Sequence, residues 1–158
     1  MPARARRALP DEMTIFEESH DHAEEYLEAL AMLEQEGTAR ATITEVARRM
    51  RIKAPSAVQM LKRLADKGLV RYYAREGVAL TAKGRKIGMR MVRNGRLMEA
   101  FMTDFLKMPL DIKVAHTVEH GMSDAFADAL CTLMAHPVSC PHGYPMPPGA
   151  CCPTARGR

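Results

Sequence analysis

A basic stretch, residues 42–81, constrains the fold of this 158-residue chain more than any other part. It reads TITEVARRMRIKAPSAVQMLKRLADKGLVRYYAREGVALT. Apolar residues at helical spacing predict one helix before Arg51 and a second helix that begins near Pro55, a residue suited to a first helical turn. Gly68 suits the end of the second helix, and two short runs of strand-forming residues around Gly77 predict a hairpin. This order of elements is typical of a winged helix-turn-helix.

The second of these helices has the two faces expected of a DNA-reading helix. Its apolar residues Ala57, Leu61 and Leu64 repeat on one side, which leaves a polar side free. Short polar groups near a helix N-terminus can hydrogen-bond base edges, and Lys or Arg can neutralise phosphates. We therefore predict a DNA-binding set composed of Pro55, Ser56, Gln59, Lys62, Arg63 and Lys67 on the helix and Arg75 at the hairpin tip.

The charge distribution supports this interpretation. Residues 40–96 contain sixteen Lys and Arg against three acids, whereas residues 11–39 contain ten acids and no Lys or Arg. A concentrated positive charge on a helix-turn-helix indicates a polyanionic partner such as double-stranded DNA.

Composition excludes several other classes of protein. The sequence has no run of about eighteen apolar residues, so no membrane span is predicted, and no apolar signal segment follows the basic start. We therefore expect a cytoplasmic protein that does not act at a membrane. The four cysteines are too few and too clustered near the C-terminal end to predict a disulfide framework.

Helices are predicted on both sides of the basic stretch. One covers residues 14–36 and carries His22, Glu25 and Glu28 opposite its apolar stripe, and a long one covers residues 82–107. Shorter helices are predicted at 111–120 and 124–134, the last with Phe126, Ala127, Leu130 and Leu133 facing inward. Residues 1–12 are predicted to form a disordered basic arm, and the Pro- and Gly-rich residues 137–158 an extended tail.

The helix at 111–120 contains the pattern H-x-x-E-H. On a helix this spacing places His116, Glu119 and His120 on one face within about one turn. Two imidazoles and a carboxylate at this separation suit a divalent metal ion. The same pattern occurs in inverted zinc peptidases, where the Glu acts as a general base. A zinc hydrolase is therefore a remote alternative, although it would leave the basic winged helix unexplained.

The sequence as a whole resembles the diphtheria-toxin-repressor and manganese-transport-regulator family of metal-dependent repressors. The resemblance covers about residues 20–147 and rests on the strings HAEEYLEALAMLEQEG, APSAVQMLKRLADKGLV, GVALTAKGRKIG, RLMEAFMTDFL, VEHGMSDAF and HPVSCPHGYPMP. It implies a homodimer of the two-domain type, in which a bound Mn²⁺ or Fe²⁺ fixes the spacing of two recognition helices on a palindromic operator.

The resemblance also implies a set of metal ligands. They are Glu25 and Glu28 on the first helix, Glu99 on the long helix, and His116, Glu119 and His120 on the H-x-x-E-H helix. Gly95 stands where the family usually has a ligand histidine, and His116 stands where relatives carry Cys or Glu. His22 or His20 is a candidate to replace a missing ligand. Oxygen and nitrogen ligands favour Mn²⁺ or Fe²⁺, and a nitrogen-rich variant could bind Zn²⁺.

We therefore expect a mostly α protein that is not an enzyme, with a winged helix-turn-helix DNA-binding domain followed by an all-α dimerisation domain. The predicted boundaries are 1–12, 13–84, 85–136 and 137–158. A metal-independent or redox-sensing regulator is the alternative, because Gly95 departs from the family pattern and because Cys140, His142, Cys151 and Cys152 could hold a second metal such as Zn²⁺ or report redox state.

Overall fold

A computed structural model describes residues 22–153 and shows a mostly helical protein with one small sheet. The predicted arm 1–12, the beginning of the predicted first helix, His20, and the end of the predicted tail lie outside these residues. The elements, in chain order, are α1 His22–Gln35, α2 Ile43–Met50, α3 Ala54–Asp66, β1 Val70–Tyr73, β2 Gly77–Leu80, α4 Ala82–Ala100, α5 Ile112–Gly121 and α6 Asp124–Leu133.

The helix-turn-helix forms where the sequence predicts it. Thr42 and Glu45 make a capping box, in which the Thr42 hydroxyl accepts from the Glu45 N–H and the Glu45 carboxylate accepts from the Thr42 N–H at 2.7 Å. Arg51 ends α2 in a left-handed conformation, and Pro55 lies in the first turn of α3. These local signals define where α2 begins and ends and where α3 begins.

The wing is an antiparallel hairpin with a third short contact. Val70 pairs with Leu80 and Tyr73 pairs with Gly77, so Gly77, which the sequence placed between the two strands, is the first residue of β2. Gly77 has a φ of 111°, and a side chain there would meet the carbonyl group of Ala41, which bridges to Val78. The glycine is therefore required both by its backbone conformation and by this close approach.

Helix α4 joins the two halves of the described chain. Its first half packs against α1 in a core that also includes Leu27, Val46 and Leu61. Gly88 allows this packing, since a Cβ at this position would meet the backbone carbonyl of Leu27. The α-helix ends at Ala100, earlier than predicted, and continues as a π-helical turn Phe101–Phe105.

A second, smaller core lies beside the other half of α4. It contains Leu97, Met122, Ala127, Leu130 and Cys131. The prediction that Phe126 and Leu133 face inward is wrong, because their side chains are 52% and 58% exposed. The two residues are seven positions apart and therefore lie on one face of α6. This face is next to the buried face formed by Ala127, Leu130 and Cys131.

The predicted extended tail is wrong as far as Pro153. Up to Cys152 this segment contains only an isolated bridge between Ser139 and Pro145, and it folds back onto the second core, with Met146, Cys151 and Cys152 packed against that core. Arg96 donates to the carbonyl of Pro145 at 2.5 Å. The Pro and Gly content that indicated an extended chain instead permits a series of tight turns. In the described part of the chain, no helix has the length and apolar character needed to cross a membrane.

Candidate metal centre and nucleic-acid interface

Predicted ligands of α1 and α5 line one cavity between these helices, namely Glu25, Glu28, His116 and Glu119, and His120 lies beside Glu25 and His116. The donors form two groups that share His116. Within each group, one possible ligand atom from every residue lies within 4.8 Å of the others. The first group adds Glu25 and His120, and the second adds Glu28 and Glu119. The cavity has a volume of about 260 Å³ and is also lined by Arg49 and Met50 of α2. Helices that are distant in sequence therefore supply its donors.

His116 lies at the centre of this arrangement. Its Nδ1 is 2.6 Å from Glu119 Oε1, and its Nε2 is 3.6 Å from Glu25 Oε1. The hydrogen bonds to Glu119 and Glu25 raise the pKa of His116 to about 10. At neutral pH the imidazole is therefore protonated, and a metal ion would have to displace this proton to bind its nitrogen.

Glu28 shows the electrostatic cost of gathering acids in one place. Burial raises its pKa to about 8, and the negative charge of Glu119 adds to this shift, as do those of Glu25 and Glu99. Burial also raises the pKa of Glu119, whose side chain is almost inaccessible. Carboxylates held this close disfavour ionisation, and a divalent cation would relieve their repulsion.

His120 has one ring nitrogen fixed and one directed into the site. Its Nδ1 is 3.1 Å from Glu24 Oε2. Its Nε2 is buried and has no hydrogen-bond partner among residues 22–153. An imidazole that is oriented through one nitrogen and offers the other is the usual arrangement of a metal-binding histidine. The oxygen and nitrogen donors therefore fit a divalent metal ion.

Sequence reasoning missed Glu24. This residue also accepts a hydrogen bond from Arg90 at 2.7 Å, so it connects α1 with both α4 and α5. Its position beside Glu25 was a signal that an orienting carboxylate was available. The sequence alone could not show which of the two neighbouring acids would face His120.

The space beside Gly95 on α4 is filled by a side chain from another helix. A Cβ on Gly95 would meet Oε2 of Glu119, and Glu28 Oε1 would lie 3.8 Å from it. The Glu119 carboxylate thus occupies the space that a larger residue at 95 would need. At the position where the family usually has a ligand histidine, this chain therefore has the carboxylate of Glu119 next to a glycine.

Glu99 and His22 stand apart from the five. Glu99 lines the cavity, but its Oε2 is 3.1 Å from His142 Nδ1, and Cys140 completes a third group of possible ligands. The sequence did not predict this pairing. The sequence grouped Cys140 and His142 with Cys151 and Cys152, but in the structure the two pairs belong to different groups of possible ligands. His22 begins α1, and its side chain is outside the description.

The predicted DNA-binding residues are all accessible. Pro55, Ser56 and Gln59 are exposed near the start of α3, and its buried residues Ala57 and Leu61 lie on the opposite side. Lys62, Arg63, Lys67 and the wing residue Arg75 are also exposed. The arrangement leaves one polar side of α3 and the tip of the wing open to a ligand.

Six of the sixteen Lys and Arg residues between positions 40 and 96 are buried or paired with acids, so they add little free positive charge to the DNA-binding surface. Arg93 and Arg96 are buried against the C-terminal segment, where their charges are directed away from solvent. Four others form ion pairs with acids, namely Arg40 with Glu76, Arg49 with Glu36, Arg85 with Glu34 and Arg90 with Glu24. The positive surface is therefore more concentrated on α3 and the wing.

Two family models match the chain in succession. The N-terminal DNA-binding domain of the iron dependent repressor matches residues 19–78, and the metal binding and dimerisation domain of the same family matches residues 81–148. Together the two matches cover most of the chain. The chain belongs to the iron-dependent repressor family.

Individual members of the iron-dependent repressor family are similar over the same region. The iron-dependent repressor IdeR of Mycobacterium leprae is 31% identical over 131 residues, which are 80% of this chain and 56% of that protein. The diphtheria toxin repressor of Corynebacterium efficiens is 32% identical over 133 residues, 80% of this chain and 56% of that protein. The chain thus spans little more than half the length of these relatives.

A solved structure agrees with the fold. A manganese-dependent transcriptional repressor in complex with manganese has a TM-score of 0.70 and 30% identity, and the match covers 81% of this chain and 59% of the other. Members of the family are transcriptional regulators that depend on metal ions. The mostly helical fold, with a winged helix-turn-helix first and a dimerisation domain second, agrees with the fold class predicted from the sequence.

Proposed function

We propose that this protein is a metal-activated, sequence-specific DNA-binding repressor of metal homeostasis that responds to Mn²⁺ or Fe²⁺. One observation carries the proposal. Donors from α1 and α5 converge on a cavity whose wall includes Arg49 and Met50 of α2, the first helix of the helix-turn-helix. The state of this cavity therefore acts directly on the position of the DNA-binding unit.

The proposed switch relies on repulsion between acids of two elements. Glu25 and Glu28 belong to α1, and Glu119 belongs to α5, so ionising all three without a cation would create a repulsion that favours separation of the two helices. A bound divalent cation supplies the positive charge that holds these carboxylates together. His116 and His120 add nitrogen donors once His116 has released its proton. The DNA-binding unit then loses freedom relative to α5, which favours one spacing of the recognition helices.

The choice of ion follows from the donors. Carboxylate and imidazole groups without a thiolate in the set favour Mn²⁺ or Fe²⁺, and Zn²⁺ is the competitor that general affinity order predicts. We propose Glu25, Glu28, His116, Glu119 and His120 as the ligands at this cavity. Glu99 and His22 remain additional candidates.

The proposed DNA contact uses α3 and the wing. Ser56 and Gln59 would hydrogen-bond base edges in the major groove, with Pro55 placing this first turn. Lys62, Arg63 and Lys67 would contact phosphates on either side of the groove, and Arg75 would reach the backbone from the wing. The partner is therefore double-stranded DNA with a palindromic operator.

We further propose a cytoplasmic homodimer without catalytic activity. The proposed boundaries remain a basic arm at 1–12, a DNA-binding domain at 13–84, a metal-binding and dimerisation domain at 85–136 and the segment 137–158. Glu119 supports a binding role over the hydrolase alternative. Its carboxylate is buried and hydrogen-bonded to His116, so it is poorly placed to accept a proton from a substrate water.

The decisive test measures DNA binding with and without metal. Fluorescence anisotropy of the purified protein on its own promoter DNA, under anaerobic conditions, is compared in chelator and in added Mn²⁺, Fe²⁺ or Zn²⁺. We expect one ion to tighten binding at least tenfold, about 1.4 kcal/mol. His120→Ala should lose this response because it removes the donor Nε2. Equal affinity in chelator and in every ion would refute metal activation and favour a constitutive regulator.

The dimer interface provides a separate prediction. Apolar side chains are exposed at the end of the π-helical turn and at the start of α5, including Phe105, Leu106, Met108, Ile112 and Val114. Two copies of this chain would bury these side chains against each other. We expect Phe105→Glu to convert the dimer to a monomer, as measured by light scattering after size exclusion. Val138→Glu is the matched control, because Val138 is 84% exposed on the C-terminal segment. A variant at Phe105 that stays dimeric would exclude this surface.

A further inference from the structure

A second cluster of possible metal ligands lies beyond the cavity, at the end of α6. It consists of Cys131, His136, Cys151 and Cys152, whose ligand atoms all lie within 4.8 Å of one another. The sequence grouped the last two with Cys140 and His142. The structure instead brings them to Cys131 and His136, next to the second core.

The backbone after α6 is shaped so that His136 returns to Cys131. Ala135 and His136 both have left-handed conformations, with φ of 58° and 57°. Two successive non-glycine residues in this region are unfavourable unless the surrounding structure imposes them. The His136 N–H donates to the Cys131 carbonyl at 2.9 Å, and its ring Nδ1 lies 3.6 Å from Cys131 Sγ.

The distances agree with the edges of a tetrahedron. Cys152 Sγ is 3.9 Å from both Cys131 Sγ and Cys151 Sγ. With a Zn–S bond of about 2.3 Å, the separation of two sulfur ligands in a tetrahedral site is about 3.8 Å. A sulfur and an imidazole nitrogen in the same site are separated by about 3.6 Å. These cysteines are all free, and their separations far exceed a disulfide bond of about 2.05 Å.

Burial raises the pKa of the Cys131 and Cys151 thiols, so a metal ion would have to displace their protons, and two hydrogen-bond donors lie beside the sulfur atoms of the cluster. Arg93 is buried and donates to Cys151 Sγ at 3.3 Å and to Asp128 at 2.7 Å. The Gly149 N–H donates to Cys152 Sγ at 3.4 Å. The absence of a side chain at Gly149 permits this approach, because a Cβ would meet the guanidinium of Arg93 and the carboxylate of Asp128. A cation and a backbone donor next to sulfur are typical supports around a thiolate–metal centre.

We propose that Cys131, His136, Cys151 and Cys152 bind one Zn²⁺ and so fasten the segment 137–153 to α4 and α6. Three thiolates and one imidazole in tetrahedral order select zinc over Mn²⁺ or Fe²⁺. Arg93 balances the negative charge that three thiolates leave on the complex. The second core contains few large side chains, and a bound ion would give it a rigid cross-link between α6 and the last turn of the chain. This site is independent of the cavity that contains His116.

The test uses Co²⁺ as a spectroscopic substitute for Zn²⁺. Full-length protein is reduced, freed of metal with a chelator and titrated anaerobically with Co²⁺. We expect tetrahedral d–d bands and a thiolate-to-cobalt charge-transfer band that saturate at one equivalent per chain and disappear on addition of Zn²⁺. The same bands should persist in His120→Ala, which separates this site from the cavity and from the proposed function.

Two cysteine variants make the assignment specific. Cys152→Ser should remove the charge-transfer band or lower its intensity by about one third, with at least tenfold weaker Co²⁺ binding. Cys140→Ser is the matched control and should retain the wild-type spectrum, because Cys140 lies with Glu99 and His142. An unchanged spectrum in Cys152→Ser, or no charge-transfer band in the wild type, would overturn the proposal.

A second measurement does not depend on the variants. In the wild-type protein, Zn²⁺ should protect three cysteines per chain from alkylation by N-ethylmaleimide, as counted by mass spectrometry. Hydrogen exchange in residues 137–153 should also accelerate after zinc removal. Formation of a disulfide between these cysteines in air, with no protection by Zn²⁺, would replace the zinc site with a redox role.

Discussion

Gly95→Ala is expected to abolish most metal binding at the cavity while leaving the protein folded. The added methyl group would collide with the Glu119 carboxylate, which is the mobile end of a side chain and can rotate away. The fold loses little, and Ala gains about 1 kcal/mol over Gly within a helix. The displaced Glu119 can no longer meet Glu28 and His116, so we expect at least tenfold weaker metal binding by calorimetry, with an unchanged or higher unfolding temperature of the metal-free protein.

Gly88→Ala is the contrasting variant on the same helix. Its methyl group would meet the Leu27 carbonyl and the Ala31 side chain, and backbone cannot move aside as a carboxylate can. We expect a loss of about 2 kcal/mol or more in unfolding free energy from this overpacking. If Gly95→Ala bound metal as tightly as the wild type, the position of Glu119 over Gly95 would have no importance for the site.

Glu28→Gln is expected to stabilise the metal-free protein and to remove most of its stabilisation by metal. Burial and the Glu119 charge raise the pKa of Glu28 from 4.5 in the unfolded chain to about 8. A group with a raised folded pKa contributes stability below pH 4.5 and loses this contribution as pH rises towards 8. At pH 7 the loss is on the order of 3 kcal/mol, which Gln avoids because it does not ionise.

The pH dependence distinguishes this explanation from a simple packing effect. Denaturant unfolding in chelator should show a gap between Glu28→Gln and wild type that is small near pH 5 and widens up to pH 8. Glu34→Gln is the matched control, since Glu34 lies on the same helix but pairs with Arg85 at the surface. A gap that stays constant with pH would show that Glu28 does not bear the proposed electrostatic penalty.

The sequence predicted those parts of the fold that depend on local chemistry. The proline at the start of α3, the glycine Gly68 after its end and the helical spacing within H-x-x-E-H each act over a few residues. Local patterns could not predict that Glu25 lies close to His116, because this proximity depends on how α1 packs on α4. The family resemblance supplied that long-range information, which a single sequence does not contain.

The sequence failed where a residue's role depends on tertiary contacts without a local signature. Phe126 and Leu133 are apolar at helical spacing, and nothing in α6 alone shows that a neighbouring stripe is the buried one. The sequence assigned no partner to Cys131, and only the left-handed turn at His136 and the return of the C-terminal segment bring its neighbours to it. Glu24 was indistinguishable from Glu25 until the orientation of α5 was known.

The cavity wall formed by Arg49 and Met50 has a thermodynamic consequence for the bound operator. If the ion and DNA both favour one position of α2, each must increase the affinity for the other by the same factor. A repressor on its operator would then hold its ion more tightly than one that is free in solution. The metal concentration that half-saturates the operator-bound protein would consequently be lower than the concentration that half-saturates the free protein, by the same factor by which the ion tightens DNA binding.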